Sequence, residues 1–326
     1  MKVGLTYDLR SDYLNEGYSD EETAEFDKES TVEAIEKALH KLGHETDRVG
    51  HFKALVNRIC NGDRWDIVFN ICEGMFGIGR EAQVPAILDA YNIPYTFSDP
   101  LVLALTLHKG MTKRVIRDCG IPTPDFVIVE SEKDLNEVPL PYPLFVKPNS
   151  EGSGKGIGNN SKVHNPAELH QTCLMQWETT AQPLLVETYL PGREFTTGIL
   201  GTGNESFSPG SMEVIFNSSA KEDIYSYDIK TNYEQYVSYA LPEKEIAAKC
   251  CELALKAWKA LGCRDAGRVD IRVDKNGIPN FIEVNPLAGL NDITSDLPIL
   301  ARMNGYDYDF IIKTIMDSAF KRIRPK

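Results

Sequence analysis

Two strand-like runs near the C-terminus, GRVDIRVD (267–274) and NFIEVNP (280–286), flank Lys275-Asn276-Gly277. Asn-Gly between such runs predicts a β-hairpin, so the two runs become antiparallel neighbours. Side chains alternate faces along a strand. Arg268 therefore shares a face with Asp270, as Glu283 does with Asn285. The hairpin then carries a guanidinium, two carboxylates and an amide carbonyl. Hard oxygen ligands of this kind, completed by water and substrate phosphates, suit Mg²⁺. The set reads as a divalent-metal site for a nucleotide, with an arginine steadying negative charge; the plain alternative is a hairpin with charges on a solvated face.

Two segments upstream favour the nucleotide. In Phe145-Val146-Lys147-Pro148-Asn149-Ser150-Glu151-Gly152-Ser153-Gly154-Lys155-Gly156-Ile157, an apolar strand delivers a lysine and then a glycine-rich loop. Such glycines let backbone N–H groups approach phosphate oxygens, and Lys147 and Lys155 add positive charge. It is not a P-loop: the G-x-x-x-x-G-K-[ST] spacing is absent and another strand is expected next. In the segment Leu184–Thr196, a buried-type strand ends at Glu187, breaks at Pro191-Gly192 and resumes at Glu194. The break suits backbone contacts to an adenine edge, with a carboxylate for a ribose hydroxyl. An ordinary hairpin would look the same.

In this order the three segments resemble the ATP-grasp superfamily, and within it the D-alanine–D-alanine ligase family, from about Lys109 to Leu290. By that resemblance Lys109, in LALTLHKGMTKRVIRDCGIPTPDF, and Lys147 contact the nucleotide, and Glu151-Gly152-Ser153 is the phosphate loop. Glu187, Thr188, Tyr189 and Leu190 match the adenine hinge, and Glu194 the ribose-binding glutamate. Tyr225-Ser226-Tyr227-Asp228-Ile229-Lys230 is similar to a Y-D-Y-x-x-K run whose lysine meets the transferred phosphate. Arg268 matches the oxyanion arginine, Asp270, Glu283 and Asn285 the metal ligands, and Gly289 a glycine whose backbone faces the reacting centre. Ser153, Lys230, Arg268 and Gly289 are thus the expected catalytic groups. ATP and Mg²⁺, as two ions replaceable by Mn²⁺, are the implied cofactors.

The resemblance implies an ATP-dependent amide ligase acting through an acyl phosphate, for which positioning and charge neutralisation matter more than covalent chemistry. The substrates would be amino acids or small peptides, sheltered by a lid over Tyr225–Tyr233. A non-catalytic ATP-binding partner or sensor is the alternative. Departures cluster on the substrate side. Leu5–Arg10 and an acidic insertion (Asp20, Glu21, Glu22, Glu25, Asp27, Glu29) stand where the family has a glycine-rich turn and E-R-x-V-S. Glu25 and Glu29 are both candidates for the amino-binding glutamate. The segment Glu73–Gln83 replaces an H-G…G-E-D-G loop. Thr231 stands for a tyrosine, Gly154 for the second loop serine, Ala288 for a proline, and Asn291-Asp292 for small hydroxyl residues. Retained ATP chemistry with altered substrates follows. Arg80, opening a helix after a glycine-rich turn, reads either as an anchor for a substrate carboxylate or as a solvated arginine. Glu73 reads as receiving a substrate cation or as pairing with Arg80. Tyr227 and Asn291 complete the expected substrate contacts.

A chain of 326 residues suggests two or three domains. The expected architecture is α/β and α+β: an N-terminal open parallel α/β domain (1–107), a central ATP-grasp unit (108–185) and a C-terminal unit with the metal site (186–326), ATP lying between the last two. The alternation of strands at 2–7, 45–49 and 66–71 with helices at 30–43, 51–61 and 80–90 gives the parallel sheet. A linking helix is expected at 108–119 and another at 243–261, with an apolar stripe of Ala247, Cys251, Ala254 and Trp258. Seven cysteines without framework spacing read as reduced, buried thiols of a cytoplasmic protein. Six histidines lack zinc-ligand spacing. A net charge of −13 argues against nucleic acid, and no apolar run reaches the ~18 residues of a membrane span. A homodimer is the state the resemblance implies.

Overall fold

The computed structural model describes residues 1–152, 154–216 and 237–323. Ser153, Tyr227, Lys230, Thr231 and the expected lid over Tyr225–Tyr233 lie outside the described residues.

The first sheet is parallel, in the order β2–β1–β3, from β1 (Lys2–Tyr7), β2 (Glu45–Gly50) and β3 (Ile67–Ile71). Its strands are separated by α1 (Arg10–Asn15) and α2 (Glu29–Lys41), then α3 (Phe52–Cys60). A bridge from Val68 to Tyr95 adds a further parallel contact. Every residue of β3 is buried, the pattern of a strand covered on both faces. One face packs under Leu55, Ile59 and Leu88. The other meets Val32, Ile35 and Leu39 of α2 together with Ile311, Ile312 and Ile315 from the end of the chain. The first and last parts of the sequence therefore share one core.

The helix expected at 80–90 begins as a 3₁₀ turn, Arg80–Ala82, before α4 (Gln83–Ala90). The linking helix is preceded by another, α5 (Pro100–Leu107), capped by Asp99 with Pro100 in its first turn. His108 caps α6 (Lys109–Asp118), its ring accepting from the Met111 N–H.

The second sheet, order β4–β7–β5–β6, contains β4 (Phe126–Val129), β5 (Leu144–Pro148), β6 (Lys162–Val163) and β7 (Leu184–Thr188), with α7 (Pro166–Thr180) against it. The third, order β10–β9–β8–β11–β12, contains β8 (Glu194–Leu200), β9 (Phe207–Phe216), β10 (Val237–Ala240), β11 (Ala266–Val273) and β12 (Pro279–Asn285). Strands β7 and β8 belong to different sheets, which excludes an ordinary hairpin at Pro191-Gly192. The change of sheet falls between Thr188 and Glu194.

Helix α8 (Lys244–Leu261) buries Cys250, Leu253, Ala254, Ala257, Trp258 and Leu261. The expected stripe was therefore one residue out of register at its start: Ala247 and Cys251 are only half-buried. The larger side chains Leu253 and Leu261 set the buried face, because they remove more apolar area from water. Of the cysteines, Cys60 and Cys119 are exposed, contrary to expectation, while all seven are free thiols. Helices α9 (Asp296–Met303) and α10 (Tyr308–Phe320) follow the hairpin. Among the described residues, no helix is long and apolar enough to cross a membrane.

Candidate active site

The hairpin forms as its Asn-Gly turn predicts. Gly277 takes φ +82°, where a side chain would be strained, and the Asp274 carboxylate accepts from the Asn276 and Ile278 N–H groups. Arg268 pairs with Asn285 and Asp270 with Glu283 across β11 and β12. Just beyond, Ile271 pairs with Phe281, leaving Ile282 as the extra residue of a bulge. Asp270 accepts from the Thr196 hydroxyl (3.0 Å) and from the Asn285 amide (3.2 Å). The Arg268 guanidinium is held by Asp296, at the start of α9, which also accepts from the Tyr239 hydroxyl at 3.2 Å.

Two cavities meet at this hairpin. The smaller, of about 90 Å³, lies between the second and third sheets and is lined by Phe145, Ile157, Leu190 and Ile282 with Lys147 and Glu194. Its apolar walls suit a flat ring system and its lysine a phosphate. The larger, of about 370 Å³, opens toward the parallel sheet and is lined by Glu25, Glu73, Arg268, Asn285 and Gly289 among others. Lys109, Glu151 and Glu283 belong to both walls.

Lys147 and Glu187 are deeply buried and 2.8 Å apart, and Lys113, fully buried, is 2.8 Å from the other oxygen of Glu187. Lys113 also donates to the Thr123 hydroxyl at 2.8 Å. Burial pushes the Glu187 carboxyl up, but the two lysines outweigh it and hold it below the usual range. Burial drags Lys113 down to about 8. It lowers Lys147 as well, yet Glu187 and Glu283 more than restore that cation. Glu187 thus holds lysines in place, while Thr188, Tyr189 and Leu190 line the small cavity beside it. Lys113 was not among the residues the sequence singled out, although it follows Lys109 by one helical turn on the same face.

Glu194 pairs with Arg272 at 3.1 Å, and Arg272 donates to the Tyr189 hydroxyl at 3.2 Å. Gly192 lets the break approach the end of β11, its N–H donating to the Val273 carbonyl at 3.0 Å; an added Cβ would collide with that carbonyl. Lys109 lies 3.3 Å from Glu283 and donates to the Glu151 carbonyl.

On the substrate side, Arg80 is buried, 3.0 Å from Glu25 and 3.5 Å from Glu151, and donates to the Ser150 carbonyl at 3.2 Å. This corrects both readings of Arg80: it is neither solvated nor free for a substrate carboxylate. Glu73 is not its partner. Between the two candidates in the acidic insertion, Glu25 lines the larger cavity, whereas Glu29 pairs with Arg48 outside it. Glu25 also sits 3.4 Å from Lys155, and it packs so closely on Gly152 that any Cβ there would clash. Burial raises the Glu25 carboxyl, but Arg80 and Lys155 prevail and lower it. Asn291, expected as a substrate contact, spends its amide on Ser30 and Thr31 of α2 and its carbonyl on the Ile293 and Thr294 N–H groups.

Asp270, Glu283 and the Asn285 carbonyl offer hard oxygen donors from opposed strands, a set that suits Mg²⁺. Among the described residues, no three His, Cys, Asp or Glu side chains converge as a metal cage. That fits an ion held by one or two carboxylates and completed by substrate phosphates.

The sequence model described as D-ala D-ala ligase C-terminus matches residues 115–317. A D-alanine–D-alanine ligase of Aquifex aeolicus is 32% identical over 287 residues, covering 88% of this chain and 93% of the relative. The chain belongs to the D-alanine–D-alanine ligase family. A Thermotoga petrophila member is 33% identical over 295 residues, covering 88% of this chain and 91% of its own. An uncharacterized protein of Sinorhizobium fredii is 32% identical over 311 residues, covering 89% and 88%. Among solved structures, D-alanine–D-alanine ligase from Bacillus anthracis complexed with ATP superposes with a TM-score of 0.74 at 23% identity, covering 98% of both chains. VanG D-Ala:D-Ser ligase from Enterococcus faecalis gives 0.75 at 20% identity, covering 98% and 99%. The fold is ATP-grasp and the protein is an ATP-grasp ligase, which sets the non-catalytic sensor alternative aside.

Proposed function

We propose that this protein joins the carboxylate of one amino acid or small peptide to the amine of another, using ATP and Mg²⁺. The observation that carries the reading is the Arg268–Asp270–Glu283–Asn285 ladder where two cavities meet, one suited to a nucleotide and one facing the parallel sheet. ATP lies in the smaller cavity, its base against Phe145, Leu190 and Ile282 and its phosphates near Lys147 and Lys109. Asp270, Glu283 and Asn285 hold Mg²⁺, which neutralises phosphate charge when bound.

A substrate carboxylate oxygen attacks the γ-phosphorus, ADP departs, and an acyl phosphate remains. The second substrate's amine, as the free base, attacks the acyl carbon. The resulting oxyanion faces Arg268 and the backbone at Gly289; collapse expels phosphate, which takes up the proton the nitrogen gives off, and leaves the amide. Preorganised donors of this kind are worth ~3–4 kcal/mol each. Ser153, Lys230 and Tyr227 join the site in this reading through the family pattern. Seven free thiols support a reducing, cytoplasmic setting.

The test is phosphate release from MgATP over D- and L-amino acids, singly and in pairs. Release that depends on amino acids and is abolished by Glu283→Ala is expected. Release indifferent to Glu283→Ala, or absent across the panel while ATP still binds, overturns the reading.

A further inference from the structure

Strand β11 carries a third charged side chain on the face that holds Arg268 and Asp270. Arg272 follows them at the same spacing of two, so all three share that face. Arg272 lines the smaller cavity together with Asp270, Tyr189 and Glu194. It stands directly opposite Glu194 across β8 and β11, and its guanidinium donates to that carboxylate at 3.1 Å. The same guanidinium donates to the Gly192 carbonyl at 3.3 Å and to the Tyr189 hydroxyl at 3.2 Å. It also lies 5.1 Å from the centre of the Tyr189 ring, within cation–π range. One planar fork therefore ties β11 and Glu194 to the segment where the chain changes sheet.

A cross-strand ion pair in water contributes little and leaves both side chains free to turn. This pair is different, because the side chains of Arg272 and Glu194 are only 12% and 17% exposed. A guanidinium also presents its N–H groups in one plane and in fixed directions. With donors on Glu194, Gly192 and Tyr189 at once, it cannot rotate without breaking several contacts. Glu194 is thereby held ionised and in one orientation on the cavity wall. A carboxylate offers about four acceptor positions, so it holds the arginine and a sugar hydroxyl together. A nucleotide lacking that hydroxyl leaves a partly buried acceptor without its partner, which is the strongest form of discrimination a pocket has.

We propose that Arg272 is the positioning residue that makes the nucleotide site selective for an intact ribose, acting through Glu194, which accepts from the sugar hydroxyls. This rests on the ligase reading above, with Glu194 as its ribose carboxylate. Arg272 itself touches neither the reacting phosphate nor the amino-acid substrates. Its effect is on which nucleotide binds.

The experiment measures turnover and binding separately on the full chain. Phosphate release is followed with the magnesium complexes of ATP, 2′-deoxy-ATP and 3′-deoxy-ATP. Calorimetry without amino acids reads the affinity of the three matching diphosphates. The wild type should favour ATP over at least one deoxynucleotide by ~10–100-fold in kcat/KM, the range of one hydrogen bond to a charged group. Arg272→Met should cut that preference below ~3-fold, by raising the KM for ATP rather than lowering kcat, while the KM of the disfavoured deoxynucleotide moves little. Arg272→Lys keeps the charge without the fork and should fall between the two. An arginine that merely braces the sheet would weaken all three nucleotides alike in Arg272→Met. That result, or a wild type indifferent to both hydroxyls, overturns the proposal. If Arg272→Met fails to fold, Arg272→Lys decides, and full retention of the preference there overturns it. Selective binding of ADP that the substitution removes, without phosphate release from any nucleotide, supports the role of Arg272 while overturning the ligase reading.

Discussion

Glu187→Gln should be among the most damaging single substitutions away from the reacting atoms. The side chains of Lys113, Lys147 and Glu187 are 0%, 3% and 5% exposed, and both ion pairs measure 2.8 Å. At an effective dielectric of ~20, each pair is worth ~6 kcal/mol of gross attraction. Desolvation cancels much of this in the native protein, so the net contribution of the cluster is small. Removing the carboxylate differs, because two buried ammonium groups then face each other without the counter-charge that pairs with both, leaving Glu283 to offset them. Breaking a buried pair in this way typically costs ~3–5 kcal/mol, and two stranded cations put the expected loss at the upper end. Lys113→Met leaves a neutral Glu187–Lys147 pair and should cost less, ~1–2 kcal/mol. Urea denaturation followed by tryptophan fluorescence and by far-ultraviolet dichroism reads both, two probes being needed in a multi-sheet chain. ATP affinity should fall with Glu187→Gln, since Lys147 loses its tether. A loss below ~1 kcal/mol for Glu187→Gln, or a larger loss for Lys113→Met, would refute the reasoning.

Asp296→Asn keeps the shape beside Arg268 but removes the charge that orients it; kcat should fall ~10-fold or more, with ATP affinity unchanged in a direct binding titration. An unaltered kcat would show that Arg268 needs no such support. For Asp27 and Glu81, the folded-state values of about 7 and about 8 lie above those of an exposed carboxyl. Their stabilisation is therefore full below the unfolded values and is lost as pH rises through 7 and 8. The melting temperature of the ligand-free protein should drop between pH 5.5 and 8.5, and Glu81→Gln should flatten that slope. An unchanged slope in the variant would contradict the assignment.

The hairpin was legible because its signals are local: an Asn-Gly turn, β-branched flanks and functional residues at spacing two. The parallel sheet was legible for a similar reason, since β3 is apolar but for Asn70 and its neighbouring strands alternate with helical segments. What escaped depended on contacts between distant elements. Lys113 lies among Lys109, Arg114 and Arg117 and looks like a surface lysine; only Glu187, from another element, shows it to be a buried cation. Asp296 reads as an ordinary first-turn acid until Arg268 is found against it. Arg80 was expected to meet solvent or substrate because nothing in its own segment reveals that the acidic insertion folds back to bring Glu25 onto it. Asp99-Pro100 announces α5, a helix the sequence reading passes over, whereas the linking helix expected at 108–119 forms as α6. On α8 the stripe holds at Ala254 and Trp258 and fails at its start, where the small residues Ala247 and Cys251 are half-buried.

The most direct test of the acyl phosphate uses a substrate labelled with ¹⁸O in its carboxylate, turned over with MgATP while released phosphate is analysed by mass. The oxygen that attacks the γ-phosphorus leaves with phosphate when the amine displaces it, so one labelled oxygen per phosphate, scaled by the label's enrichment and by the choice between two equivalent oxygens, is predicted. Phosphate free of label, formed together with amide, would contradict the account.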